Sequence, residues 1–364
     1  MDDNILVSVI MPIHNAKQWL DRSVASALNQ TMRKIEVILI NDGSTDGSEY
    51  ILEKWAAADK CVRVINRGNL GVSATRNEGI AKARGKYVSF IDADDYMESD
   101  MLRQMVDALE HTDADVAICD YYEENEKGYK KNIMLPWEHM TKLDNFMVEN
   151  ELIPDMIKVT DEDKKRYPSL DNNIAGTVWR TCIRKSFLES TGIRFDEEMS
   201  IAEDFNFCVR AFIKASGVVV VRGCLYHYVR WNSTTMASYR EKQFEVGIAN
   251  QKILKNFLVE NGMYNSTKQR YFGSYIDEVL SAPYNFIRPG GPGFIKKIHL
   301  LKEITRQISV DDTVIEAVGS GGINLTGNQK LALKLMRHHM ALTLYLLAKI
   351  RNSKYKKYEK KEND

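Results

Sequence analysis

The sequence predicts an α/β fold, a mostly parallel sheet with flanking helices, followed by a helical C-terminal region. Three observations predict it. Over the first 120 residues, short β-branched runs alternate with stretches of helical spacing, the mark of βαβ crossovers. Three of those runs end in polar loops: Pro12 to Asn15, Asn41 to Ser44 and Asp92 to Asp95. After about Ser238 strand signals give way to helices, interrupted at Pro289 to Gly293 and at Gly319 to Gly322. We therefore expect an α/β domain over residues 1–237 and a helical region over 238–364.

The elements follow in order. Ile5 to Met11 is an apolar strand that stops at Pro12. Leu20, Val24, Ala27 and Leu28 place a helix between Lys17 and Leu28. Ile35 to Ile40 is a second strand, closed by Asn41-Asp42-Gly43. A helix from Ser48 to Ala58 has Ser48 as its expected cap. Val62 to Ile65 is a short third strand. A helix from Val72 to Ala83 is ended by Gly85. Tyr87 to Ile91 is a fourth strand, Asp100 to Leu109 a helix and Asp115 to Cys119 a fifth strand. From Glu123 to Pro168 the pattern weakens and reads as an insertion or flexible cover. Gly217 to Val221 is a late strand.

Composition narrows the function. The chain has 364 residues, 44% hydrophobic and 27% charged, enough to bury a substantial core. Lys+Arg and Asp+Glu are 50 each, so net charge points to no nucleic-acid partner. Five cysteines without a CxxC pair suit free thiols in a reducing compartment. The N-terminus lacks signal-peptide features, and no run of about 20 apolar residues suggests a membrane span. The expected location is cytoplasmic.

Ligands of open parallel sheets bind beyond the carboxyl ends of the strands. Asp92-Ala93-Asp94-Asp95 puts three carboxylates at one such end. Their mutual repulsion would be relieved by a divalent cation, and hard oxygen ligands suit Mn²⁺ or Mg²⁺ bridging to phosphates. An acidic helix N-terminus is the alternative. Asn41-Asp42-Gly43 reads as turn chemistry or as a side chain facing a nucleobase. Asn69 to Asn77 is a tight loop feeding a helix, with Arg76 on that helix or on the surface. No Gly-x-Gly-x-x-Gly follows the first strand and no Gly-Lys-Ser/Thr occurs, which excludes a dinucleotide-binding dehydrogenase and a P-loop enzyme.

Taken together, Val9 to Asn15, Glu36 to Asp46, Asn69 to Asn77 and Asp92 to Asp95 make the chain resemble the inverting family 2 glycosyltransferases of GT-A fold. The resemblance is strong from Ile5 to Asp120 and looser to about Trp231. It implies a nucleotide diphospho-sugar donor, most often a UDP-sugar. Pro12, Ile13, His14 and Asn15 would contact the nucleotide through the backbone. Asp42 would bond the base with Gly71 and Arg76 nearby. Asp92 and Ala93 would face the ribose, and Asp94, with Asp92, would hold the metal. It further implies a base carboxylate in a later Glu-Asp pair, which Glu203-Asp204 matches. Asp204 would deprotonate the acceptor hydroxyl, with Glu203 and Trp179 at the acceptor. Solvated acids at a helix start and a core tryptophan are the alternatives.

His227-Tyr228-Val229-Arg230-Trp231 stands where processive members of the family carry Gln-x-x-Arg-Trp, and His227 replaces the Gln. With no membrane span, the expectation is a non-processive enzyme. Arg230 is then a clamp for the departing diphosphate and His227 a further metal or phosphate ligand. The acceptor implied is a saccharide or lipid-linked saccharide, as in polysaccharide synthesis. A non-catalytic carbohydrate-binding scaffold on a decayed transferase fold is the rival. The span Leu331 to Ile350 places Leu333, Met336, Met340, Leu344 and Leu347 on one stripe, followed by a lysine-rich tail. Such a helix suits an anionic membrane surface or a core or dimer contact; a homodimer is left open.

Overall fold

The computed structural model describes residues 5–126, 128–168, 170, 174–199, 202–230, 239–321 and 325–361, the last helix with side chains to residue 352. The chain divides into two compact units, Met1–Trp231 and Asn232–Asp364. The expected boundary at 237/238 and the side chain of Trp231 lie outside the described residues.

The first unit opens with β1 (Val7–Ile13), α1 (Leu20–Leu28), β2 (Ile35–Asp42), α2 (Ser48–Ala58), β3 (Val62–Arg67) and α3 (Val72–Lys82). It continues with β4 (Tyr87–Phe90), β5 (Tyr96–Met97), α4 (Met101–Thr112), β6 (Val116–Asn125), β7 (Gly128–Asn132) and β8 (Lys142–Leu143). Short helices follow, α5 (Asn145–Met147), α6 (Ile153–Ile157) and α7 (Asp161–Arg166). The unit closes with β9 (Thr181–Arg184), α8 (Lys185–Thr191), α9 (Glu203–Lys214) and β10 (Val218–Val229).

Among the described residues the sheet runs β3-β2-β1-β4-β9-β6-β10-β5, with β7 on β6 and β8 on β10. β1 is parallel to β2 and β4, β2 to β3, and β6 to β10. All eight residues of β2 are buried, as a parallel strand covered on both faces requires. β9 was not foreseen: it inserts antiparallel between β4 and β6. The stretch from Glu123 to Pro168 is also more ordered than expected, because β6 runs on to Asn125 and turns into a hairpin with β7.

Two local features bring α3 close to the sheet. A Cβ on Gly79 would stand 2.4 Å from Ile10 Cγ2, so only glycine allows this approach. Gly71, just before α3, has φ 92°, which a side chain rarely adopts. Beneath them, the buried Glu36 carboxylate accepts from Ser8 Oγ at 2.7 Å, Arg63 Nη1 at 2.7 Å and the Arg84 N–H at 2.7 Å. A buried charge persists when it is paired in this way. It ties the starts of β1, β2 and β3 to the chain just after α3, at the edge of the sheet opposite the one where β1, β2 and β4 end.

The second unit is helical: α10 (Gln243–Glu260), α11 (Tyr264–Asn285), α12 (Phe294–Ser309), α13 (Asp312–Gly319), α14 (Gly327–Arg337) and α15 (Ala341–Lys361). The single C-terminal helix expected from Leu331 to Ile350 is two helices. His339 has φ 55°, and the chain turns there between α14 and α15. Leu333, Met336 and Leu344 of the expected stripe are buried at 3%, 0% and 3%, whereas Met340 is 44% exposed. The stripe is therefore mostly core of this unit. Among the described residues no helix is long and apolar enough to cross a membrane.

Candidate active site

Parallel strands carry their last residues to one edge. There Ile13 pairs with Asn41, and Asp42 with Arg67. His14 Nδ1–H donates to the Asp42 carbonyl at 2.8 Å, and Asn15, at φ 53°, accepts from the Thr45 N–H at 2.8 Å. These bonds lock the first loop against the second. Ile13 is buried, so it offers a ligand backbone only; Pro12 is half-buried.

Asp42 clamps the third loop. Its Oδ1 accepts from Arg67 Nε and the Leu70 N–H, both at 2.9 Å, and its Oδ2 accepts from the Gly71 N–H at 2.9 Å. Burial opposes the charge, but the Leu70 N–H, Arg67 and the Gly71 N–H outweigh it and hold Asp42 below the usual carboxylate range. The arginine beside Asp42 is thus Arg67, not Arg76. Sequence reading missed Arg67 because it ended the third strand at Ile65, two residues short of the ladder position that faces Asp42.

Arg76 takes another place. It is 3% exposed, and its guanidinium donates to Asp92 Oδ1 at 3.0 Å, Glu203 Oε1 at 3.2 Å and Asp204 Oδ1 at 2.6 Å. One buried cation joins the loop after β4 to the start of α9. Burial disfavours its charge, yet Asp204, Asp92 and Glu203 overcome that and keep it protonated. The Phe195 ring lies 5.3 Å beneath it. Asp204 Oδ2 also accepts from the Val178 N–H at 3.2 Å. Burial pushes the Asp204 carboxyl up to about 7, opposed by Arg76 and assisted by Asp92 and Glu203.

The loop after β4 is held from below by β10. Tyr226 is fully buried; its hydroxyl donates to Asp95 Oδ2 at 2.8 Å and accepts from the Asp92 N–H at 3.1 Å. The Val229 N–H donates to Asp95 Oδ1 at 2.8 Å. Asp95, a residue to which sequence gave no role, therefore anchors the loop, and burial raises its carboxyl well above the usual range. The Ala93 carbonyl accepts from Ser23 Oγ at 2.7 Å. Asp94 keeps its carboxyl half-buried, pushed up to about 6 by burial first and by the charge of Asp92 second.

Of the other expected residues, two stand elsewhere and the third, Arg230, is paired with an acid. Trp179 is 4% exposed, stacked on Tyr226 at 4.4 Å and on Tyr228 at 5.8 Å, with Tyr121 edge-on at 4.9 Å. Its faces are covered by rings, so it is a core residue supporting Tyr226 and not an open sugar platform. His227 donates from Nε2 to Glu98 at 2.8 Å and is stacked between Tyr96 and Tyr122. Its neighbour Glu124 accepts from the Tyr96 hydroxyl. The alternation of β10 turns His227 away from Tyr226 and the acidic loop, which corrects its assignment as a metal ligand. Arg230 is exposed and donates to Glu123 at 2.6 Å. Among the described residues no three His, Cys, Asp or Glu side chains form a metal cage of their own.

Residues 8–160 match the family described as glycosyl transferase family 2. An uncharacterized glycosyltransferase of Bacillus subtilis strain 168, EpsJ, is 32% identical over 252 residues, covering 67% of this chain and 69% of EpsJ. A cholesterol galactosyltransferase of Borreliella burgdorferi is 29% identical over 288 residues, covering 74% of this chain and 76% of that protein. The crystal structure of S. aureus TarS 1–349 in complex with UDP superposes with a TM-score of 0.60 at 18% identity, covering 96% of this chain and 91% of that one. At that identity the likeness is one of fold. Fold and relatives together define a glycosyltransferase of GT-A-like architecture with a helical C-terminal region. The chain belongs to glycosyl transferase family 2.

Proposed function

We propose that this glycosyltransferase moves a sugar, with inversion, from a UDP-sugar to a hydroxyl of a saccharide or lipid-linked saccharide, with a divalent cation on the diphosphate. The observation that carries the reading is the Arg76 bridge, which holds Asp204 and Asp92 on one guanidinium. A donor lying along the ends of β1, β2 and β4 would then meet an acceptor activated by Asp204. The choice of uridine is supported by the TarS structures, which contain UDP and UDP-GlcNAc.

In this reading the acceptor oxygen attacks the anomeric carbon as its proton passes to the Asp204 carboxylate. The bond from that carbon to the diphosphate oxygen breaks on the opposite side, and UDP leaves with the electron pair. Asp204 must be ionised to accept the proton. With its carboxyl at about 7, kcat/KM is expected to fall as pH drops through about 7. Arg76 holds the carboxylate in place, and Arg230 can aid departure of the diphosphate by exchanging Glu123 for it. Retention of Asp92, Asp204 and Arg76 in one bonded arrangement, with Asp94 beside Asp92, weighs against a decayed, non-catalytic scaffold.

The residues fit a Mn²⁺ or Mg²⁺ ion. Asp94 is a partly desolvated carboxylate beside a second negative charge, and such ions commonly use one or two carboxylates with substrate phosphates as the other ligands. Asp94 would hold it, with Asp92 behind. When bound, the ion supplies positive charge to the leaving diphosphate. Replacing Asp94 by Ala is expected to abolish the gain in UDP affinity on adding Mn²⁺, measured by calorimetry with and without the ion. An undiminished gain would remove Asp94 from the site. The donor is tested with a panel of UDP-, GDP-, dTDP- and CMP-sugars in the presence of Mn²⁺. Selective binding of UDP-sugars is the result expected, and preference for another base would overturn the choice of uridine.

A further inference from the structure

We infer that the helical unit docks on an anionic membrane surface through a face other than the predicted stripe. The stripe is core, but the same unit exposes a second apolar feature. Ile295 and Phe294, at the start of α12, are 84% and 55% exposed. On α15, Leu342, Leu346 and Ile350 are 49%, 47% and 53% exposed, and their four-residue spacing puts them on one face. The Phe294 ring meets Tyr345 of α15 edge-on, with centroids 5.6 Å apart. This contact seats the wedge on α15, whose exposed ridge lies about a quarter turn from Tyr345, and exposed apolar features of this kind mark an interaction surface.

Charge selects the occupant. The whole chain is neutral, yet these helices are strongly basic. In sequence, α12 carries four Lys/Arg against Glu303, α14 three against no acid, and α15 seven against Glu359. Lys296 and Lys297 directly follow the Phe294-Ile295 wedge. Two copies meeting through this face would bring like charges together, which costs energy in a self-complementary contact. An anionic bilayer surface instead accepts the apolar wedge among its acyl chains and the lysines among its headgroups. The inference does not depend on the donor or the acceptor.

The test is co-sedimentation of the full chain with vesicles of phosphatidylcholine alone or mixed with phosphatidylglycerol. Binding is expected to the mixed vesicles, to weaken with salt, and to fall about tenfold or more in the double variant Ile295→Glu, Leu346→Glu. Lys296→Glu with Lys297→Glu is expected to weaken binding to the mixed vesicles and reduce its salt dependence. All these side chains lie outside the catalytic unit, so UDP affinity, measured in parallel, is expected to stay unchanged, and an unaltered far-UV helical signal and thermal midpoint of each variant report that the helical unit itself is intact. The inference is overturned if the wild-type chain ignores anionic vesicles or if the double variant binds them equally. It is also overturned if the wild type is an oligomer that the double variant dissolves without any vesicle binding.

Discussion

Sugar transfer is expected to fall by about two to four orders of magnitude when Asp204 is replaced by Asn, the range for loss of a general base. Each tenfold loss is about 1.4 kcal/mol, so the transition state loses about 3–6 kcal/mol. The amide keeps the size of the carboxyl but cannot take the proton. It also loses one of its two contacts, because the nitrogen cannot accept from Arg76 or from the Val178 N–H. UDP affinity should stay within about threefold, since Asp204 faces the acceptor in the proposed arrangement and not the nucleotide. Initial rates and UDP binding measured on the same preparation check both halves. A rate near that of the wild type would place the base elsewhere.

Replacing Arg76 by Met is expected to be the most damaging change to stability. Methionine has similar bulk, but it leaves Asp92, Glu203 and Asp204 without their shared cation. Breaking a buried charge network by removing one partner typically costs 3–5 kcal/mol. The three carboxylates keep some solvent access, so about 3 kcal/mol is expected, read from urea unfolding midpoints. Arg230→Met is the control: Arg230 is 59% exposed against Glu123, and an exposed pair contributes about 1 kcal/mol or less. Equal effects of the two substitutions would contradict the role given to Arg76.

Much of the catalytic unit was legible because its parallel strands are buried on both faces and so read as unbroken β-branched runs. Ile35 to Ile40 and Ile5 to Met11 announce themselves, and their polar ends fall where a parallel sheet gathers them. What the sequence hid was pairing. Thr181–Arg184 is four residues long and follows a tryptophan-arginine pair, so it carries no alternation by which to place it between β4 and β6. The exchange of Arg67 for Arg76 beside Asp42 has the same origin, because it depends on which residues face each other across a ladder. Trp179 was ambiguous for lack of any view of Tyr226 and Tyr228, whose rings cover it. At the C-terminus, His338-His339-Met340 contains neither Gly nor Pro, the usual punctuation. The apolar period ran through a turn that only the backbone reveals, and the exposed ridge at Leu342, Leu346 and Ile350 lay behind the stripe.

The most direct test of the central claim needs no knowledge of the acceptor. Sugar nucleotides bound by the enzyme can be hydrolysed slowly with water in the acceptor place, and the first anomer released can be read by proton NMR before mutarotation. From a UDP-α-sugar in the presence of Mn²⁺, single displacement assisted by Asp204 predicts that the β-anomer appears first, and that Asp204→Asn releases it far more slowly. Early release of the α-anomer, or hydrolysis unaffected by the loss of Asp204, would contradict the account.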